Sequence, residues 1–147
     1  MKLVRMAASY LRQASSRLED AEEALEEGNN PYALRLSQEC VELSLKAALK
    51  LVGIEYPKVH DVSDVLLDHR DRFPEWFREE VEFMAEASSS LAAKRELAFY
   101  GGEEALLTPE DVISRREAER AVEAARKILS LCTRLLSMYL GGGSQST

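Results

Sequence analysis

At 147 residues, with 46% hydrophobic and 31% charged side chains, the chain has the length and composition of one globular domain that folds without disulfide or metal staples. Its net charge of −7 removes any global attraction to nucleic acid or an anionic membrane, so contact with either requires a local basic patch. The two cysteines, Cys40 and Cys132, sit in apolar helical patterns and read as packing thiols; the polar turn of the first residues and the lack of a run of about 20 apolar residues predict a cytoplasmic protein with no membrane contact.

In chain order, residues 2 to about 27 form the first predicted helix, with Leu3, Met6, Ala7, Tyr10, Ala14, Leu18, Ala21 and Leu25 on one face. Gly28 ends it, and the short Gly28-Asn29-Asn30 link makes the next helix its antiparallel neighbour. That second helix is the centre of the chain. Asn30 is its expected N-cap, Pro31 its first residue and Gly53 its left-handed C-cap. Its polar residues Arg35, Glu39, Glu42, Lys46 and Lys50 fall at helical steps into one narrow stripe, and nearly everything else on it is apolar, as in a helix enclosed on several sides.

Pro57 makes the following segment a stiff turn, because it lacks an amide donor and disfavours helical torsions at Tyr56. Asp61 or Ser63 then caps a short helix through His69. Pro74 opens a fourth helix, predicted to run without a break through Trp76, Val81, Met84 and Leu97, with Ser88-Ser89-Ser90 as a close-packed or bent patch inside it. Tyr100-Gly101-Gly102 ends it, and Glu103 to Leu107 are expected to tuck their apolar residues against the bundle. Thr108 as N-cap and Pro109 start the last helix, which reaches about Leu140. The sum is an all-α, up-and-down bundle of four long helices and one short one in a single domain, 1–140, followed by a disordered tail, 141–147. The breadth of the apolar faces on the second and last helices predicts a homodimer.

Little in the chain spells out chemistry. His60, His69, Cys40 and Cys132 show none of the spacings of a metal site, there is no nucleophile elbow or phosphate loop, and no cofactor is implied. His60 beside Asp61 reads as a turn residue that bonds the backbone, and His69 as a solvated surface residue. The arginines and lysines from Arg70 to Arg120 are interleaved with acids and read as solvated helix faces.

The stretch SQECVELSLKAALKLVGIEYPKVHDVSDVLL resembles the signature region of the HEPN domain family, and the order of helices matches that family over roughly residues 2 to 140. The resemblance implies a two-fold dimer and a minimal nucleotidyltransferase partner, often within a toxin–antitoxin module. Many members are metal-independent ribonucleases using an Arg, four to six residues, and a His. Here the counterpart is Arg95, four residues, then Tyr100. Tyrosine, with a pKa near 10, is a weak base at neutrality. The expectation is therefore a degenerate, non-catalytic domain, with Arg95, Lys94, His60 and Lys58 as candidate contacts for nucleotide, RNA or partner. The alternatives are a ribonuclease toxin built on Arg95 with a non-standard second residue, and a plain helical adaptor.

Overall fold

A computed structural model describes residues 1–141. Among them the elements are α1 (Lys2–Glu26), α2 (Asn30–Leu51), α3 (Ser63–Asp68), a 3-10 turn (Arg70–Arg72), α4 (Glu75–Arg78), α5 (Val81–Tyr100), α6 (Pro109–Val112) and α7 (Arg115–Leu140). The expected tail, apart from Gly141, lies outside the described residues. No helix among the described residues is long and apolar enough to cross a membrane.

The four long helices alternate in direction. Arg115 at the start of α7 meets the Leu25 carbonyl near the end of α1 and Arg126 near the middle of α7 meets the earlier Glu22, so those two are antiparallel. Arg95 late in α5 meets Gln38 and Glu39 early in α2, while Ser88 earlier in α5 meets the turn after α2, so these are antiparallel as well. Helices α2 and α7 rise together, with Ala33 and Leu36 packed beside Ala118 and Val122 and the Cys40 thiol donating to the Ala125 carbonyl.

Helix α2 is central: 14 of its 22 residues are buried, among them Leu34, Leu45 and Leu49 with no exposed surface. Burying each such side chain contributes on the order of 1.5–3 kcal/mol, which makes α2 the main source of core stability. Its breadth of apolar surface is covered inside the chain by α1, α5 and α7. At its end Gly53 takes φ +75° and the amides of Gly53 and Ile54 bond the Lys50 and Leu49 carbonyls, a Schellman closure.

Several local expectations shift. The N-cap of α2 is Asn29, whose side chain accepts from the Tyr32 amide, so Pro31 is the second helical residue. The predicted fourth helix is broken at Glu79 and Glu80 into α4 and α5. The last helix is divided too: Thr108 and Asp111 form a capping box for α6, buried Ile113 is extended, and a second capping box, Ser114 with Glu117, restarts the chain as α7. The connector after Gly101 does not tuck in. Gly102 and Leu107 pair with each other, which turns Leu106 outward at 88% exposure and φ +57°.

Candidate functional site

The polar stripe of α2 is the one face of that helix left uncovered, and it gathers partners from three other segments. Arg95 of α5 donates from Nη1 to Gln38 Oε1 at 2.7 Å and to Glu39 Oε2 at 3.0 Å. Arg17 of α1 donates to the other oxygen of Glu39 at 2.9 Å. Gln38 passes the chain on, its amide donating to Glu42 Oε1 at 2.9 Å. Glu42 also receives Lys46 on Oε2 at 2.8 Å and His60 Nδ1 on Oε1 at 2.8 Å. Burial disfavours ionising Glu42, but the hydrogen bonds from Lys46, Gln38 and His60 outweigh it and hold the carboxyl below its ordinary range.

His60 therefore bonds a side chain, not the backbone as its position in a tight turn suggested. The Pro57 turn carries it back over the stripe of α2, with Lys58 and Val59 beside it. Because Glu42 is held as a carboxylate, Nδ1 is the protonated nitrogen in that contact. Asp61 next to it has a separate task. Its Oδ1 accepts from the Ser63 amide at 2.9 Å and from the Ser88 hydroxyl at 2.8 Å, and the same hydroxyl accepts from the Val62 amide at 3.1 Å. The serine patch inside α5 thus locks the turn onto the bundle. Burial opposes ionisation of Asp61 too, yet the bonds from Ser63, Ser88 and Ser89 keep its carboxyl below the usual value.

Arg95 and Tyr100 do not come together. Arg95 is drawn into the α2 network, whereas Tyr100 is 61% exposed and lies against Phe99, ring centroids 5.5 Å apart. Phe99 occupies the position one turn after Arg95 and carries two guanidinium groups, Arg35 at 3.3 Å and Arg95 at 5.2 Å from its centroid. Lys94 leaves the cluster altogether, pairing with Glu117 of α7 at 3.1 Å. His69 is half-buried at the end of α3, with Nδ1 3.0 Å from the Val65 carbonyl, and is not a free surface residue. Burial pushes the Cys40 thiol up to about 12 and raises Cys132 as well, so neither is a nucleophile at neutral pH. Among the described residues no group of His, Cys, Asp and Glu gathers that could hold a metal ion.

Sequence reasoning misses Gln38, Glu39, Glu42 and Arg17 as members of the cluster. The signal for two of them, Glu39 and Glu42, is present in the chain: a charged stripe on a helix otherwise buried all round must meet something other than water.

A family model described as the HEPN domain matches residues 7–135. The fold is shared by the crystal structure of an archaeal HEPN homologue, with a TM-score of 0.65 at 23% identity over 88% of this chain and 97% of that one. The crystal structure of a protein from Thermus thermophilus is similar, with a TM-score of 0.68 at 24% identity over 87% and 96% of the two chains. No curated protein matches the chain.

Proposed function

The chain belongs to the HEPN domain family, and on that premise we propose that it is a non-catalytic member that works by binding, as a dimer that partners a minimal nucleotidyltransferase within a toxin–antitoxin module. The observation that carries this reading is the fate of Arg95. Its Nη1 is committed to Gln38 and Glu39, and the residue that follows after four intervening positions is a tyrosine that lies against Phe99. Cleavage through a ribose hydroxyl needs a base that exchanges protons near neutrality beside the cation that holds the phosphate. Here the cation is committed to Gln38 and Glu39 through Nη1, and the second position is a tyrosine, a weak base at neutrality.

What supports a binding role is the surface around the end of α5. Tyr32, Leu97, Phe99, Tyr100, Leu106 and Leu107 are all exposed large apolar side chains near this end of the bundle. An apolar group of that kind, beside a rigid polar cluster, is suited to a protein partner. Co-expression with a minimal nucleotidyltransferase is expected to give a stable complex, and the chain alone to elute as a dimer. A strict monomer that captures nothing overturns the reading. Titration with ATP and with a short RNA reports contact with nucleotide or RNA at the same face.

One observation favours the ribonuclease alternative: Gln38 and Glu42 link Arg95 to His60, so the cation and an imidazole share one network. Metal-free cleavage of RNA that is lost in both Arg95→Ala and His60→Ala would establish that activity in place of the binding role.

A further inference from the structure

The far end of the α2 stripe opens onto a cleft that the partner face does not use. It has a volume of about 630 Å³, within the range of small-molecule sites, and lies between the start of α1, the last turn of α2 and the Pro57 turn. Three ammonium groups line it, Lys46, Lys50 and Lys58, against the single carboxylate of Glu55. In a chain of net charge −7 that is a local reversal of sign. A narrower recess of about 410 Å³, lined also by Glu42 and His60, shares Lys46 and Lys58 with it.

The three lysines are not equivalent. Lys46 already neutralises Glu42 at 2.8 Å, with only 13% of its side chain exposed. Among the described residues Lys50 has no such carboxylate. Its ammonium is held between two phenol rings, 5.5 Å from the centroid of Tyr10 and 5.2 Å from that of Tyr56. Ring faces attract a cation without neutralising it, so Lys50 is held in place with its charge intact. Lys58 stands exposed on the rigid turn opposite. Tyr10 and Tyr56 also touch each other, and burial, followed by Tyr10 and then Glu42, raises the Tyr56 hydroxyl well above its ordinary value. At neutral pH it remains a proton donor.

The negative end of the α2 dipole points here and opposes an anion. It is largely capped. The Ala48, Leu49 and Lys50 carbonyls accept from Val52, Ile54 and Gly53, and the Val52 carbonyl accepts from Arg72 Nη2 at 2.7 Å.

We propose that this cleft is a binding site for a small phosphate monoester, its dianion held between Lys50 and Lys58 with Lys46 behind them and its organic part against Tyr10, Tyr56 and Ile54. Separate ammonium groups suit a phosphate dianion, because they act as point charges that surround a tetrahedral anion from several sides. The cleft and the partner face use different residues, so either assignment can fail alone.

Calorimetric titration of the full chain with inorganic phosphate, ribose 5-phosphate and ribose tests it. Ribose 5-phosphate is expected to bind at one site, inorganic phosphate more weakly and ribose not at all. The double variant Lys50→Gln/Lys58→Gln is expected to weaken ribose 5-phosphate at least about tenfold, since hydrogen bonds to charged groups are the strong ones. Lys127→Gln, the same substitution at a single lysine on the α7 surface, is expected to leave it unaltered, and circular dichroism verifies that both variants are folded. Failure of ribose 5-phosphate to bind, equal binding of ribose, or undiminished affinity in the folded double variant overturns the proposal.

Discussion

Glu42 satisfies three donors, Gln38, Lys46 and His60, and its charge is therefore part of what holds the Pro57 turn to α2. A carboxyl whose folded pKa lies below its unfolded value contributes stability that is complete above the unfolded value and is lost as pH falls through the folded one. Glu42 is held below its ordinary value of 4.5, so its share is present at neutral pH and disappears in acid below that value. Glu42→Gln is thus expected to lower Tm at neutral pH, and the gap to the wild type is expected to close as the pH is taken below about 4.5, measured by thermal melts. Asp61 titrates in the same direction in both proteins, so the difference between the two curves isolates Glu42. A gap that stays constant with pH would remove Glu42's charge from the account. Single residues are partly legible from sequence. Arg95 and His60 both stand out there, but the contacts that define them do not, since Gln38 and Arg95 are 57 positions apart and their bond depends on how α2 and α5 are docked.

Helix ends are the most legible elements, because caps are local chemistry. Gly28 and Gly53 each occupy left-handed torsions where the sequence places a helix stop. The break between α6 and α7 is equally present in the sequence as Ser114-Arg115-Arg116-Glu117, a capping-box spacing masked by the stronger Thr108-Pro109 start just before it. The division of α4 from α5 has no such marker. Leu106 shows what propensity misses: an apolar residue is expected to turn inward, but backbone pairing of Gly102 with Leu107 closes the loop and leaves it no route to the core. That closure depends on Gly101, at φ +70°, where an added Cβ would meet the Leu107 carbonyl and the backbone of Thr108 and Pro109. Gly28 has a similar φ of +79° but open space around it. Gly28→Ala is expected to cost about 1 kcal/mol, the torsional penalty alone. Gly101→Ala adds a backbone collision and is expected to cost upward of about 2 kcal/mol, compared by chemical denaturation. Equal costs would mean that the loop yields freely.

At the scale of the whole molecule, α2 carries two faces of different chemistry, a neutralised polar cluster with apolar neighbours at one end and a cationic cleft at the other. Gln38 and Lys50 are separated by about 18 Å along the helix, at roughly 1.5 Å per residue. That exceeds the Debye length of about 8 Å in physiological salt, so direct charge coupling between the ends is screened. A chain of hydrogen bonds does run from Arg95 through Gln38 and Glu42 to Lys46, which lines the cleft. Such a chain transmits only if it has two discrete arrangements to choose between. The helix that carries it is packed on α1, α5 and α7 with most of its residues buried, which favours one arrangement of its backbone. Arg95→Gln is therefore expected to leave affinity for ribose 5-phosphate unchanged, and the Lys50→Gln/Arg95→Gln double variant to match Lys50→Gln within about 0.5 kcal/mol, the scatter usual for independent sites. A larger coupling in that cycle would show that the network does move, and that occupancy of the cleft is felt at the partner face.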